Sequence, residues 1–281
     1  MTTENYHFKV GTLQCIAISD GTDVNTVENL IRDVPPELVR QATLDHGLSP
    51  TEITTYFNCL YIQTDGQRVL VDAGWGQGTG RRNGALLEGL QVEGIAPADI
   101  NTVVITHTDF DHVAGLMTPD SRVVFTNADL ILSKEAWDFW TDESILAKLP
   151  EPLTTFGRKT LPILRDQLKV VEPGIEFLPG FELISAPGHR PGHTALWITS
   201  TGEHLLHLAD AVGHPLLMEN PGWRWSYDTQ PEQAERDRRR LLNLAVTRQA
   251  MIFGSHLPFP GVGRAIPQGV GWIWQPYSSL P

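Results

Sequence analysis

Cysteine is scarce in this sequence. Cys15 and Cys59 are the only two among 281 residues, and no C-x-x-C pair occurs. Thiol pairs of that spacing are typical of zinc sites and of dithiol redox sites, so neither kind of site is indicated. Each cysteine lies inside an apolar, strand-like segment. We therefore expect two buried thiols, because a disulfide would be unusual in a reducing compartment.

Positive charge is also scarce. The chain has 21 Lys and Arg residues against 33 Asp and Glu residues, which gives a formal net charge of −12. A protein that binds nucleic acid needs clustered basic residues to displace the phosphate counterions. The densest basic run, Arg238-Arg239-Arg240, follows three acidic residues in a helical pattern, and we interpret it as a solvated helix face. A nucleic-acid partner is therefore not expected.

Long apolar runs are missing as well. No stretch approaches the roughly 18 apolar residues of a membrane-spanning helix, and residues 1–15 are polar where a secretory signal has its apolar core. We expect a soluble, cytoplasmic protein without a membrane partner. The apolar share of 41% and the charged share of 19% are typical of globular proteins, so the chain can bury a sizeable core.

The pattern of apolar residues predicts strand groups that alternate with single helices. Asp65-Gly66 stands between two apolar runs and predicts a β-hairpin. Helices are predicted over residues 35–47, which begin with prolines and end at a glycine, and over residues 84–94, after a glycine-rich loop at 74–80. This alternation in both halves of the chain suggests two packed sheets with helices outside.

Two later segments contain helices whose limits the sequence indicates. Residues 133–168 contain a helix with Trp137 and Trp140, followed by several prolines, and we interpret this segment as a lid-like insertion. A final helix follows Thr229 and Glu232, which have the spacing of a capping box. We expect that pair to cap the helix.

Histidines and aspartates stand at the ends of four apolar, strand-like runs. The runs are VVITHTDFDH (103–112), LISAPGHRPGH (183–193), HLLHLAD (204–210) and MIFGSH (251–256). Strand ends are the usual location of functional sites in α/β proteins. So many imidazole and carboxylate groups would repel one another or remain unsatisfied unless a cation neutralised them. One or two divalent metal ions are therefore predicted.

These residues resemble the signature of the metallo-β-lactamase superfamily, H-x-H-x-D-H after a buried strand. The matching segments are His107-Thr-Asp109-Phe-Asp111-His112, Pro187-Gly188-His189, Asp210 in LHLAD, His256 in FGSH, and the early element Asp72-Ala73-Gly74. The resemblance runs from about residue 10 to 265. It implies an α/β (α+β) fold, a four-layer αββα sandwich of two mixed β-sheets flanked by helices, in a single domain over residues 1–281.

The resemblance also implies a set of metal ligands. Each metal takes three ligands and shares a bridging carboxylate: His107, Asp109 and His189 for one metal (site one), Asp111, His112 and His256 for the other (site two), and Asp210 as the bridge. The family has histidine where this chain has Asp109. A carboxylate is harder than imidazole, which would shift site one towards iron or manganese or weaken it. The implied cofactor is two divalent metal ions, zinc in the first place, with manganese or iron as alternatives.

Other polar residues receive supporting roles. By the same resemblance, Asp72 is expected to orient a ligand histidine and His193 to orient the ligand loop, without binding metal. We interpret His204 and His207, in the following strand, as structural. His214 lies in the next loop and is a candidate substrate contact.

The activity implied by the resemblance is hydrolysis. Two metals bridged by Asp210 and a water would supply hydroxide near neutral pH, and Asp111 would steer that nucleophile or carry its proton. No G-x-S-x-G serine motif is present. The C-terminal part is similar to the branch that holds methyl parathion hydrolase and the N-acyl homoserine lactonases, which implies a small lactone, ester or phosphotriester substrate. The aromatic candidates for contact with the substrate are Trp75, Phe110, Trp137, Trp140 and Trp223. Trp137 and Trp140 lie three residues apart on a predicted helix, and packing against the sheet explains them equally well.

Three alternatives stay open. The lactonases carry a tyrosine three residues past the bridging aspartate, where this chain has Gly213, so an ester or phosphotriester competes with a lactone. An iron-dependent oxygenase or a diiron redox protein of the same superfamily is the alternative function. A homodimer is common in this branch, and the tail with Trp272 and Trp274 would lie in its interface or cover the core.

Overall fold

The computed structural model describes residues 4–77 and 84–277 of the chain. Strands are numbered in chain order. The first sheet has the order β1-β2-β4-β5-β6-β7-β8. Its strands are β1 Asn5–Val10, β2 Leu13–Thr26, β4 Glu52–Gln63, β5 Arg68–Val71, β6 Thr102–Val104, β7 Asp129–Ser133 and β8 Leu168–Val171. Neighbours are antiparallel from β1 to β5 and parallel from β5 to β8, so the sheet is mixed.

The second sheet has the order β16-β15-β14-β12-β11-β10-β9. Its strands are β9 Glu176–Leu178, β10 Phe181–Ser185, β11 Thr194–Ser200, β12 Glu203–His207, β14 Met251–Phe253, β15 Val262–Gln268 and β16 Gly271–Pro276. Only the pair β12 and β14 is parallel among its described neighbours. A short ribbon joins β3 Ile31–Arg32 to β13 Arg224–Trp225.

Nine helices with α geometry lie in the described ranges, and most are short. They are α1 Val27–Leu30, α2 Pro36–Asp45, α3 Leu86–Val92, α4 Phe110–Val113, α5 Lys134–Thr141, α6 Glu143–Leu146, α7 Leu161–Leu164, α8 Pro215–Glu219 and α9 Pro231–Thr247. Among the helices described, none combines the length and the apolar character needed to cross a membrane.

The core is built in layers between and outside the two sheets. Alternate residues of a strand face opposite sides of its sheet, and β5 shows the effect: Val69 and Val71 pack between the sheets, while Leu70 packs under the helices. Helix α9 covers the outer face of the second sheet through Leu241 and Leu242. Helices α3, α5 and α7 cover the first sheet in the same way. The predicted four-layer αββα sandwich of two mixed sheets is thus confirmed.

Several local predictions are confirmed by the structure. The turn at Asp65-Gly66 joins β4 to β5 with Gln63 paired to Arg68. Cys15 and Cys59 are free, buried thiols. Trp272 and Trp274 are buried in the core beneath α9, so they cover that core, and the homodimer stays an expectation. The glycine-rich loop predicted at 74–80 extends past Gln77 and so lies partly outside the described residues.

Two predictions around α9 are wrong. Arg238 does not lie on a solvated face: it is 1% exposed and shares the buried side of α9 with Ala234, Leu241 and Leu242. The capping box at Thr229 does not form either, because the Thr229 hydroxyl donates to the carbonyl of His189 at 2.9 Å. Helix α9 begins at Pro231 without a side-chain cap.

The segment 133–168 belongs to the helical layer over the first sheet. Phe156, Leu161 and Leu164 are buried in the same cluster as the outward residues of that sheet. Trp137 and Trp140 pack against this cluster, as the packing interpretation of the sequence expected. A lid role for the segment stays a prediction.

Candidate metal centre

Four strand ends converge on one edge of the sandwich. His107 follows β6, and Asp109 leads into the short helix α4, which carries Asp111 and His112. His189 lies in the connection from β10 to β11, Asp210 in a 3-10 turn after β12, and His256 after β14. The parallel pairings β5–β6 and β12–β14 bring carboxyl ends of strands to the same edge. The seven residues therefore meet although they span the chain from 107 to 256.

Site one consists of His107, Asp109 and His189. One ligand atom from each of the three lies within 4.8 Å of the others. Asp109 Oδ2 is 3.9 Å from His107 Nε2 and 3.5 Å from His189 Nε2. These separations suit donor atoms that surround one divalent ion, since ligand bonds of about 2.0 to 2.2 Å place neighbouring donors at that range.

Site two consists of Asp111, His112 and His256, together with Asp210. Asp111 Oδ2 is 3.4 Å from His112 Nε2 and 3.5 Å from His256 Nε2. The two carboxylate oxygens of Asp210 reach both groups. Oδ1 is 3.1 Å from His112 Nε2, and Oδ2 is 3.8 Å from His107 Nε2 and 3.5 Å from His189 Nε2. Asp210 is thus placed to serve both sites at once.

A cation fits the unsatisfied atoms of this cluster. Nε2 of His107, His112 and His189 and Oδ1 of Asp210 are buried and have no hydrogen-bond partner within the described parts of the chain. Buried polar groups without partners cost free energy. Four such atoms aimed at one another are best satisfied by metal ions, and imidazole with carboxylate is a donor set that suits zinc, iron or manganese.

Three of the four candidate ligand histidines are held through their other ring nitrogen by a carboxylate or a backbone carbonyl. Nδ1 of His112 lies 2.7 Å from Asp72 Oδ2, Nδ1 of His189 lies 3.1 Å from Asp228 Oδ1, and Nδ1 of His256 lies 2.7 Å from the carbonyl of Tyr56. A proton on Nδ1 donated to these oxygens leaves the Nε2 lone pair free for a metal. This arrangement is typical of histidines that bind metal.

Asp72 and His193 occupy supporting positions. Asp72 also accepts the backbone N–H and the hydroxyl of Thr106 at 2.9 and 2.8 Å, so it fixes the strand end that leads into His107. His193 Nδ1 donates to the carbonyl of Ala186, and its Nε2 accepts the backbone N–H of Asp210 at 3.1 Å. Burial lowers the pKa of His193 to about 3, which keeps Nε2 able to accept.

A buried Arg238–Asp228 pair behind site one escaped the sequence analysis. Arg238 Nη2 donates to Asp228 Oδ2 at 3.2 Å, and the guanidinium also donates to three backbone carbonyls, those of Ala211, Pro221 and Trp223. Asp228 in turn contacts His189. A signal was available in the sequence: Arg238 shares a helical face with Ala234 and Leu241.

Arg190 is a second residue that the sequence analysis missed. Its guanidinium binds both carboxylate oxygens of Asp109, Nε to Oδ1 and Nη2 to Oδ2, each at 2.8 Å. Nη1 donates to the carbonyls of His189 and Tyr227. The sequence marks Arg190 only as a basic residue directly after His189 in GHRPGH, and nothing in that motif identifies Asp109 as its partner.

The neighbouring charges shift the pKa values of site one. Burial lowers the pKa of His107 well below its ordinary value, and His112 adds to this. Burial also acts to lower the pKa of His189, but the neighbouring carboxylates of Asp109 and Asp228 outweigh burial and raise that pKa to about 9. Burial acts to raise the pKa of Asp109, yet His189, His107 and Arg190 together hold it below its usual range. Asp109 is therefore a carboxylate at neutral pH.

A cavity opens onto both sites. Its walls include the ligands Asp109, Asp111, His189, Asp210 and His256, the aromatic residues Phe57, Trp75, Trp225 and Tyr227, and the polar residues Asp23, Asn25 and Thr55. Trp75 packs edge-on against Phe57 with ring centroids 5.4 Å apart. The cavity therefore offers both aromatic and polar side chains beside the clustered candidate ligands.

The structure brings one of the six candidate substrate contacts to this cavity, namely Trp75. Trp137 and Trp140 pack in the helical layer that covers the outer face of the first sheet. Trp223 packs in the cluster around Trp225. His214 caps α8 by accepting the N–H of Leu216 at 3.2 Å.

Phe110, beside the ligands Asp109 and Asp111, is 53% exposed and lies outside the cavity wall as described. Two further histidines have packing contacts: His204 stacks on Trp197, and His207 stacks on Phe253, in keeping with their structural interpretation.

Gly213 leaves room for an indole ring. A Cβ atom at this position would lie 2.6 Å from Cε2 of Trp225, closer than packed atoms come. The Trp225 ring, which lines the cavity, therefore occupies the space that a side chain at position 213 would need.

Comparisons with known proteins agree with this geometry. The family model of the metallo-beta-lactamase superfamily matches residues 56–256. An N-acyl homoserine lactonase of Bacillus thuringiensis is 26% identical over 218 residues, which cover 70% of this chain and 80% of the lactonase. Metallo-beta-lactamase domain-containing protein 1 of Xenopus laevis is 27% identical over 164 residues, 57% of each chain.

Two solved structures are similar over nearly the whole chain. One is AidC, a dizinc quorum-quenching lactonase in complex with its product, with a TM-score of 0.92, 28% sequence identity and 99% of each chain covered. The other is the hydrolase AbOPH of the beta-lactamase superfamily, with a TM-score of 0.87, 25% identity and 98% of each chain covered.

Proposed function

Because this chain belongs to the metallo-beta-lactamase superfamily and is a dinuclear metallohydrolase, we propose that it hydrolyses a small carboxylic ester, with N-acyl homoserine lactones as the first candidate class. The observation that carries this proposal is the pair of candidate ligand groups, with Asp210 within 3.8 Å of histidines of both groups. The similarity to lactonases supports the substrate class. An oxygenase is not favoured, because the two groups together suit two ions of a hydrolytic centre.

The ligand residues take distinct parts in the reaction. Zinc is the proposed metal, and two divalent ions bound at sites one and two would lower the pKa of a shared water and polarise the substrate carbonyl. Asp210 fixes the position of one site relative to the other. Asp111 lies on the cavity wall, so its carboxylate can receive the proton of the attacking water and pass it to the alkoxide that leaves.

The cavity walls suggest how the substrate lies. Phe57, Trp75 and Trp225 form an apolar surface for the acyl chain, where burial contributes about 25 cal/mol per Å². Asn25 and Thr55, which also line the cavity, offer hydrogen-bonding groups to an amide. An N-acylated lactone has both features, whereas a simple aryl ester has only the apolar one.

Substrate profiling tests this proposal. Zinc-loaded protein is offered short-chain and long-chain N-acyl homoserine lactones, an aryl acetate and a dialkyl aryl phosphate, and acid release is followed at constant pH. We expect the highest kcat/KM for a lactone and a lower value for the aryl ester. The absence of lactone and ester hydrolysis in protein that holds two ions per chain would contradict the proposal.

A matched pair of variants tests the position of the substrate. Trp75→Leu removes an indole from the cavity wall and is expected to raise KM for the lactone roughly tenfold, since about 1 to 3 kcal/mol of apolar contact is lost. Trp137→Leu removes an indole that packs in the helical layer over the first sheet, and we expect it to leave KM unchanged. Equal KM values for the two variants would contradict the proposed contact between the indole of Trp75 and the substrate.

A further inference from the structure

Arg190 is fixed against the carboxylate of site one. Its guanidinium makes two parallel hydrogen bonds to Asp109, both at 2.8 Å, and its remaining nitrogen is held by the carbonyls of His189 and Tyr227. Side-chain exposure is only 25% for Arg190 and 27% for Asp109. A bidentate pair with this degree of shielding is screened far less than a surface ion pair. The positive charge of Arg190 is therefore a permanent part of site one.

The two sites consequently differ in net charge. In site one, the charge of Asp109 is cancelled by Arg190, and the charge of Asp228 behind His189 is cancelled by Arg238. In site two, Asp111 binds alongside two histidines, and Asp72 adds a second carboxylate behind His112 at 2.7 Å. Among the described hydrogen bonds of Asp72, the other donor is the neutral Thr106. A divalent cation is therefore attracted more strongly to site two.

We infer that Arg190 makes the two metal positions unequal, so that a divalent cation fills site two first and site one second, with weaker binding. This inference rests on the proposed two-metal function and adds an order of filling to it. In this view Asp109 and Arg190 act together as a neutral ligand. Their summed charge equals that of a neutral imidazole, the group that the family signature has at position 109.

Magnitudes favour this role over a purely structural one. The repulsion between a divalent ion and a unit positive charge bonded to one of its ligands is large even at an effective dielectric constant of about 20. Part of that energy is lost to rearrangement and solvent, so we expect the affinity of the second ion to change at least tenfold when the charge of Arg190 is removed. A residue that served only to hold the loop would not change affinity in this direction.

Titration of metal-free protein tests the inference. Chelator-stripped wild-type protein is titrated with Co²⁺, and binding is followed by visible absorption and calorimetry. We expect two ions per chain in two resolved steps. Arg190→Gln is expected to tighten the second step at least tenfold and leave the first nearly unchanged. Arg190→Lys, which keeps the charge, is expected to stay within about threefold of the wild type.

A double-mutant cycle separates charge from folding. Asp109→His alone places an imidazole beside an unpaired guanidinium and is expected to weaken the second step at least tenfold. The double variant Asp109→His with Arg190→Gln restores a neutral ligand and is expected to return close to the wild-type affinity. Arg264→Gln, far from the cavity in β15, is the matched control for the loss of an arginine. Thermal unfolding of the metal-free variants checks that each one folds.

The outcomes distinguish the inference from the function beneath it. Wild-type protein that binds fewer than two ions at saturating metal would contradict the two-metal function. Two ions that bind in one step, or an Arg190→Gln variant with unchanged affinity for the second ion, would overturn the inference and leave the function intact. If the double variant binds as weakly as Asp109→His alone, the neutral-ligand role of the Asp109–Arg190 pair is wrong.

Discussion

Site one and site two use the same kinds of side chain, yet their surroundings differ in charge. Both have two histidines and one carboxylate, and Asp210 lies within 3.8 Å of histidines of both. Behind site one, each carboxylate meets an arginine, Arg190 or Arg238. Behind site two, Asp72 faces only the ligand His112 and the neutral Thr106 among its described hydrogen-bond partners. A centre that looks symmetric in its ligands is thus asymmetric in its electrostatics.

This difference follows from where the supporting groups lie in the chain. Asp72 follows β5 directly, in the middle of the first sheet, and its described hydrogen-bond partners are Thr106 and His112. Asp228 precedes α9, a long helix with room for a buried arginine on its inner face. The position of a supporting carboxylate in the fold thus decides whether a cationic side chain can lie beside it.

The largest expected effect comes from the residue common to both sites. Asp210→Asn keeps the size of the side chain and removes the charge that serves both metal positions. We expect at least a thousandfold loss of kcat and a loss of at least one bound ion per chain, because the shared ligand holds both positions. Metal content and kcat measured on the same preparation check this.

Asp120→Asn is the control for that substitution, since Asp120 is exposed and, within residues 4–77 and 84–277, its side chain pairs with its neighbours Thr118 and Arg122. It is expected to keep both activity and metal. If Asp210→Asn retains two ions and normal turnover, the two sites do not depend on a shared ligand, and the comparison between them loses its basis.

The second prediction separates the two supporting carboxylates. Asp228→Asn leaves the guanidinium of Arg238 buried without its carboxylate, which costs about 3 to 5 kcal/mol of unfolding free energy. Asp72→Asn removes one of three carboxylates around His112, and Asp111 and Asp210 still face that ring at 3.4 and 3.1 Å, so we expect it to cost only about 1 to 3 kcal/mol. Urea unfolding of the metal-free variants measures both. Equal losses would show that the arginine behind site one does not distinguish the two regions.

The third prediction uses a buried carboxylate held by backbone amides. Asp20 accepts the N–H groups of Trp75 and Leu86, and burial raises its pKa from 3.8 to about 6. Because the folded state holds this proton more tightly, the resulting stability is fully present below about pH 4 and is lost as pH rises through about 6. Relative to Asp20→Asn, the wild type should lose about 3 kcal/mol of unfolding free energy between about pH 4 and pH 7.

Urea unfolding of metal-free protein at a series of pH values checks this dependence. A difference between the two proteins that stays constant with pH would mean that Asp20 is charged throughout the range. In that case, amides alone would stabilise a buried carboxylate here as well as the cations near Asp109 and Asp228 do.

The smallest expected effect lies outside both sites. Phe110 separates Asp109 from Asp111 in sequence, but its side chain is exposed. We expect Phe110→Ala to leave the affinity of both ions unchanged and to raise KM for a long-chain lactone less than threefold, through the loss of a few apolar contacts. A change in either metal affinity would mean that the ring positions α4, and the two sites would then be coupled through that helix.

The fold and the ligands could be predicted from the sequence because both leave local patterns. A short apolar run such as Val69-Leu70-Val71 in β5 predicts a buried strand, and an apolar run that ends in histidines and aspartates marks a strand end beside a site. The resemblance to a known family then ordered the ligands from His107 to His256. The structure brings these residues together, and their roles as ligands stay a prediction.

The supporting charges could not be predicted with the same ease. Arg238 was interpreted as solvated because a run of three arginines usually faces water, although its helical phase placed it among Ala234 and Leu241. The pairing of Arg190 with Asp109 spans 81 residues, and no local pattern encodes a contact at that separation. Most of the aromatic candidates also lie away from the cavity, because an indole in an amphipathic helix packs in the core as readily as it lines a site.

Anomalous diffraction from crystals of the zinc-loaded protein tests the central claim most directly. We expect two peaks at the zinc edge, one between His107, Asp109 and His189 and one between Asp111, His112 and His256, with Asp210 bound to both. The peak at site one should be the weaker one when zinc is limiting. A single peak, or two peaks away from these residues, would contradict the account of a dinuclear centre built from two unequal halves.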